Sequence, residues 1–154
     1  MDSPDEIEVV ARRLRDGGQR WTPQRRLITA VVFGTHEHFS ADELLAMCRR
    51  RDRKVSRATV YRMLAVLEAE GFLASLDTGD GGLRYEHVLG HDHHDHMICR
   101  TCARIVEFAD PDLEQRKAEL ARRHGFRLVG HELKLFVECL DETCPGRQGR
   151  RRKP

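Results

Sequence analysis

Ser56-Arg57-Ala58-Thr59-Val60-Tyr61-Arg62-Met63-Leu64-Ala65-Val66-Leu67-Glu68-Ala69-Glu70-Gly71 is the stretch on which the fold of the first half turns. Ser56 suits an N-cap, where a side-chain oxygen takes an amide that the first helical turn leaves unpaired. Val60, Met63, Leu64 and Leu67 recur at helical spacing as one apolar stripe, and Gly71 suits a stop. Arg62 falls opposite that stripe, with Tyr61 about 100° from Val60 at helical pitch. A cation and an aromatic near a helix N-terminus can meet phosphates, base edges or a thymine methyl. The same residues also suit a plain solvated face. The neighbouring elements decide between the two.

Upstream, three more helices are expected. An amphipathic segment with Ile7, Val10, Ala11 and Leu14 ends at Gly17-Gly18. Thr22-Pro23 opens the next, with Thr as cap and Pro in the first turn, followed by Leu27, Ile28, Val31 and Val32. Ser40-Ala-Asp-Glu43 is a capping box that opens the third, through Leu44, Leu45 and Cys48. Cys48 reads as a small core residue. Downstream, Phe72–Leu76 and Leu83–Glu86 are strand-like runs around Gly79-Asp-Gly-Gly82, a hairpin. Short helices followed by a hairpin make a winged helix-turn-helix, an architecture that binds DNA.

Charge supports a local contact surface only. The segment Gly146–Pro154 carries five of the 27 basic residues, which leaves 22 basic against 25 acidic elsewhere. Two stretches stand out as basic: Arg20 to Arg26, and Arg49 to Arg62 with seven Arg or Lys against one Asp. No apolar run approaches a membrane span, and Met-Asp-Ser-Pro-Asp-Glu does not resemble a signal peptide. The expectation is a cytoplasmic protein with reduced thiols, so close cysteine pairs read as metal ligands before disulfides.

Those pairs lie in the second half, as Cys99-x-x-Cys102 and Cys139-x4-Cys144. Four thiolates suit a closed tetrahedral zinc site. A helix from Asp110-Pro111 to His124-Gly125 and a strand from Phe126 to Cys139 fill the gap between the pairs. The second pair must therefore return to the first in space. A reversible disulfide is the other reading. Just before Cys99 runs His91-Asp-His-His-Asp-His96. On an extended segment His94 and His96 share one face, and His93 and Asp95 the other, so one stretch can serve two sites. His38, Glu86, Glu107, Glu114 and His131 are the outlying donors. Mixed imidazole and carboxylate ligation suits Fe(II), Mn(II), Zn(II) or Co(II) alike. A His/Asp-rich loop can also be only solvated.

In this order the pieces resemble the ferric uptake regulator family over about Ala11 to Cys144. The resemblance rests on Thr22-Pro-Gln-Arg25, Ser56-Arg-Ala-Thr-Val-Tyr-Arg62, Arg84-Tyr-Glu86, His93-His-Asp-His96, Ile98-Cys-x-x-Cys102, Val106-Glu-Phe108, His124-Gly-Phe and Cys139-x4-Cys144. It implies an α+β chain: an N-terminal winged helix-turn-helix DNA-binding domain plus a small C-terminal α/β dimerisation domain. The expected divisions are 1–87 for the first, 88–96 for a hinge carrying ligands, 97–144 for the second, and 145–154 for a basic, disordered tail. By the same resemblance Cys99, Cys102, Cys139 and Cys144 hold structural Zn(II). His38, Glu86, His94, His96 and Glu107 form the regulatory site, and His93, Asp95, Glu114 and His131 an additional one. Arg20, Arg25, Arg57, Thr59, Tyr61 and Arg62 are the DNA-binding candidates.

The function so implied is that of a repressor, not an enzyme. It binds palindromic double-stranded operators as a homodimer, with higher oligomers on DNA as an extension. Glu at positions 86 and 107, and no Cys near Glu86, favour Fe(II) as the sensed ion. Manganese-, zinc- and peroxide-responsive relatives stay as alternatives. From a different class stands a metal-dependent hydrolase built on the His/Asp cluster, which would leave the winged helix without a purpose. His36, His87 and His91 are further imidazoles beside the expected ligands.

Overall fold

A computed structural model describes residues 4–79, 82–88, 90, 93–140 and 142–144. The chain forms two compact units, residues 1–92 and 93–154. The expected basic tail, 145–154, and residues 80 and 81 of the turn 79–82 lie outside the described residues.

The first unit runs α1 (Pro4–Asp16), α2 (Pro23–Phe33), α3 (Ala41–Arg51), α4 (Arg57–Ala69), β1 (Leu73–Asp77) and β2 (Leu83–His87). Each of the last three helix starts is capped as its sequence implies. The Thr22 hydroxyl accepts from the Arg25 N–H at 3.3 Å, ahead of Pro23. Ser40 and Glu43 close a reciprocal box, at 3.2 and 2.7 Å. The Ser56 hydroxyl accepts from the Thr59 N–H at 3.1 Å. Gly71 leaves α4 at φ 75, a left-handed turn that a Cβ would strain. The helices enclose an apolar core in which Ile28, Val32, Leu44, Cys48, Val60 and Leu67 are fully buried. Cys48 is thus the small core residue expected, and burial pushes its thiol up to about 11. β1 and β2 pair antiparallel from Leu73↔His87 to Asp77↔Leu83. This is the wing.

The second unit comprises β3 (Asp95–Cys99), β4 (Ile105–Phe108), α5 (Pro111–Arg123) and β5 (Lys134–Val137). β3 is central, antiparallel to β4 and parallel to β5. Asp110 caps α5 through the amides of Asp112 and Leu113, with Pro111 in its first turn. The strand expected from Phe126 to Cys139 is much shorter. Its regular part is four residues, paired His96↔Lys134 to Cys99↔Val137. The reason is the partner: β3 begins only at Asp95, so residues before Leu133 have no rung to bond to. Alternation of Leu133, Leu135 and Val137 marked the true strand, and Gly130 with the residues before it was over-read.

Candidate functional site

The cysteine site grows out of the β3–β4 turn. Cys99 ends β3, and the Ala103 N–H returns to the Cys99 carbonyl at 2.8 Å. Ala103 takes φ 63, a left-handed backbone costly for a residue with a Cβ and held here by the tight turn. The second strand neighbour, β5, delivers Cys139 from the other side. Cys139 Sγ lies 3.3 Å from both Cys99 Sγ and Cys102 Sγ. These gaps are far beyond a disulfide bond, about 2.05 Å. They approach the edge of about 3.8 Å that a tetrahedron of Zn–S bonds near 2.3 Å sets.

The chemistry of the donors fits as well. Burial works against a thiolate at Cys99, but the Cys102 and Thr101 amides and the neighbouring thiols outweigh it, lowering the group to about 6. Hydrogen bonding to the Cys102 and Cys99 sulfurs, with burial and Cys144 adding to it, pushes the Cys139 thiol up. The two shifts run in opposite directions, as suits sulfurs that share hydrogen bonds. A cleft of about 360 Å³ lined by Met97, Val106 and Val137 together with Cys99, Cys139 and Cys144 surrounds these sulfurs. The amide-lined turn, the sulfur spacing and the apolar wall fit Zn(II).

The expected regulatory residues fall in two sets, one in each unit. In the first, Phe39 and Tyr85 exchange backbone bonds of 3.0 and 2.8 Å. That bridge registers the residue before Phe39 beside the one after Tyr85. His38 Nε2 accordingly lies 3.2 Å from Glu86 Oε2, both side chains nearly buried. His87, next along β2, is buried edge-on against Phe33, 5.5 Å from the His36 ring. In the second unit, His96 pairs with Glu107 across β3 and β4. The His94 and His96 rings are 4.9 Å apart, and His94 Nε2 is 3.9 Å from Glu107 Oε2. His91 lies outside the described residues.

The opposite face of the same segment carries the additional cluster. Asp95 is buried on β3 and its carboxylate Oδ1 lies 3.4 Å from His93 Nε2 and 3.2 Å from His131 Nε2. His93 and His131 face each other at 2.8 Å, and Glu114 on α5 reaches His131 at 3.4 Å. All four ligand atoms lie within 4.8 Å of one another. Burial acts to raise the Asp95 carboxyl, but the Lys117 ammonium and His131 hold it below the usual range. Lys117 is the residue that sequence reading missed. Its position three residues after Glu114 puts it on the same face of α5.

The DNA-binding candidates sit on exposed parts of the first unit. Tyr61 and Arg62 project from α4, and Arg62 Nε donates to the Ala58 carbonyl at 3.2 Å. Arg57 pairs with Asp42 at 2.6 Å and lies 6.0 Å from the Tyr61 ring centre. Thr59 is half-buried, its hydroxyl 2.9 Å from that of Ser56. Arg20 is exposed, while Arg25 bonds Gln19 at 2.8 Å. Arg57, Thr59, Tyr61 and Arg62 share one helix; Arg20 and Arg25 flank the start of another.

Helices carrying an exposed basic face, a wing, and a small sheet unit rich in clustered metal donors define a metal-binding, DNA-binding transcription regulator. The sequence pattern of the Ferric uptake regulator family matches residues 16–136. The Ferric uptake regulation protein of Helicobacter pylori is 35% identical over 151 residues, which cover 94% of this chain and all of that one. The solved structure of the H. pylori ferric uptake regulator, described as having three functional metal binding sites, superposes with a TM-score of 0.79 at 35% identity, over 87% of this chain and 91% of that one. A zinc-bound manganese uptake regulator superposes at 0.67, with 37% identity over 87% and 98%. The chain belongs to the ferric uptake regulator family. It is a regulator and not an enzyme, so the hydrolase reading falls. No helix among the described residues is long and apolar enough to cross a membrane.

Proposed function

We propose that this chain is an Fe(II)-responsive repressor that acts in the cytoplasm as a homodimer on palindromic operators, with structural Zn(II) on Cys99, Cys102, Cys139 and Cys144. The carrying observation is the pair of half-sets, His38 with Glu86 in one unit and His94 and His96 with Glu107 in the other. Neither half alone offers the donors of a filled octahedral or trigonal-bipyramidal shell. In this reading the five residues share one ion, and segment 88–96 is the hinge between units 1–87 and 97–144. When bound, that ion supplies the charge that favours one arrangement of the two ligand sets. His38 is held by the Phe39–Tyr85 bridge and Glu107 by its strand, so both arrive already oriented. A preference for one arrangement shifts the population towards it, and DNA that selects the same arrangement must tighten the ion in return.

A second copy is the partner that the C-terminal unit suits. Leu120, Phe126, Val129, Leu135 and Phe136 stand exposed there, and the unit encloses little core of its own. Two copies would set two α4 helices on successive turns of a duplex, with Tyr61 and Arg62 toward the bases and Arg20, Arg25 and Arg57 toward phosphates. Manganese would be the runner-up ion, because the same donors suit it and a manganese uptake regulator is among the similar structures.

The test is selection of duplexes from a random library by the full chain with Fe(II), Mn(II), Zn(II) or no added ion, at fixed salt. A palindrome should be enriched most with Fe(II). Glu107→Ala should lose roughly 5–150-fold in metal-stimulated affinity, the range typical of coupled sites. Equal enrichment with and without metal, or an indifferent Glu107→Ala, would sink the sensing reading.

A further inference from the structure

The additional cluster already holds a cation, and it belongs to the chain. Lys117 Nζ lies 3.0 Å from Asp95 Oδ2, 2.6 Å from Glu114 Oε1 and 2.5 Å from His131 Nε2. An ammonium has three protons to give, and here three polar atoms lie within its reach, two of them carboxylate oxygens. We propose that the Lys117 ammonium is a resident cation of the His93–Asp95–Glu114–His131 cluster, and that a divalent ion enters this site only by displacing it. The proposal rests on the reading of these four residues as a metal site.

Geometry makes the two occupants exclusive. A transition metal binds carboxylate oxygen and imidazole nitrogen at about 2.0–2.2 Å. Bound to Asp95, Glu114 and His131 at such lengths, it would lie among the same three side chains that Lys117 Nζ now contacts. Two like charges cannot share that position in a site where Asp95 is only 2% exposed. The lysine also does mechanical work that the ion would otherwise do. α5 contributes no fully buried residue, so apolar packing holds it down only weakly. Glu114 and Lys117 tie it to Asp95 on β3 and to His131 ahead of β5. Through the chain's own cation, these contacts draw the cluster together. Its affinity for metal is correspondingly reduced, so it fills only when the ion is abundant enough to expel the ammonium.

The experiment uses the full chain with zinc on its thiolates and Mn(II) as probe, because manganese prefers oxygen and imidazole over sulfur. Free Mn(II) is counted by electron paramagnetic resonance in wild type, Lys117→Gln, Lys117→Arg and the double variant Lys117→Gln/His131→Ala. The weaker class of sites should tighten at least about tenfold in Lys117→Gln. Lys117→Arg, which keeps the charge, should stay weak, and the double variant should lose the gain. Mn(II) should also raise the melting temperature of Lys117→Gln more than that of wild type. Equal affinity in wild type and Lys117→Gln overturns the proposal, and so does the absence of a second class in both. None of these readouts involves DNA, so a failed regulatory reading would leave this result interpretable.

Discussion

The two units solve the folding problem by different means. Residues 1–92 enclose a continuous apolar cluster, from Val10 and Leu14 on α1 through Ile28, Val32, Leu44, Val60 and Leu67 to Leu73 and Tyr85 on the wing. Residues 93–154 bury Ile98 and Cys99 as their only apolar side chains among those described, beside the ionisable Asp95 and His96. Exposed Phe126, Val129 and Leu140 show how much apolar surface that unit leaves uncovered. The first unit has paid its conformational entropy with oil; the second depends on thiols, imidazoles and carboxylates drawn to common points. The contrast suits a regulator. On the proposed function, the unit that would read DNA has an apolar core to hold its shape, while the other relies more on polar partners.

The strongest challenge to this contrast is Cys99→Ser. Structural zinc contributes apparent binding energies of about 10–16 kcal/mol in small zinc-dependent folds, far more than two buried apolar side chains can supply. The variant should lose its zinc, and backbone amides of β3, β4 and β5 should exchange freely. Amides of α2 and α4 should keep their protection. Zinc lost with the C-terminal amides still protected would show that the second unit stands by other means.

Leu64→Ala asks the reverse question of the first unit. Leu64 is 1% exposed on the buried stripe of α4, and truncating such a side chain typically costs about 2–5 kcal/mol. Denaturant unfolding followed at Trp21, which packs against this core, should shift by that amount. Zinc content should not change. Zinc released in step with the lost core would mean that the two units share one stability.

How much of this was written in the sequence follows the same division. In the first unit, local rules and burial agree: Thr22, Ser40 and Ser56 cap where caps were expected, and the stripe Val60, Met63, Leu64, Leu67 is buried. The wing came within a residue of its expected bounds, because Gly79 and Gly82 bracket alternating runs. In the second unit, periodicity was a poorer guide. Phe126 to Glu132 looks like a strand but has no strand partner among the described residues. Ligand chemistry was the better signal there, since alternation along residues 93–96 separates His94 and His96 from His93 and Asp95. Lys117 escaped because a lone lysine on a helix carries no signal until Asp95 and His131, 22 residues before it and 14 after, are folded against it.

The finest test of the contrast lies at the α3 capping box. Ser40→Ala should cost the first unit about 1 kcal/mol. Glu43→Gln should cost less, because Glu43 is half-exposed and solvent screens its pairing with Arg84. Its sign with pH is fixed. Burial acts to raise the Glu43 carboxyl, but the Ser40 N–H, the Arg84 guanidinium and the Ser40 hydroxyl together hold it below the ordinary 4.5. A depressed carboxyl contributes stability above its unfolded value and loses it as pH falls through the folded one. Wild type should therefore exceed Glu43→Gln by about 0.5 kcal/mol near pH 6, and the difference should fade below about pH 4. Exchange of the β3 amides should be the same in both proteins at either pH. A change there would mean that a cap in the apolar unit reaches the metal-dependent one, and the division between the two would have to be redrawn.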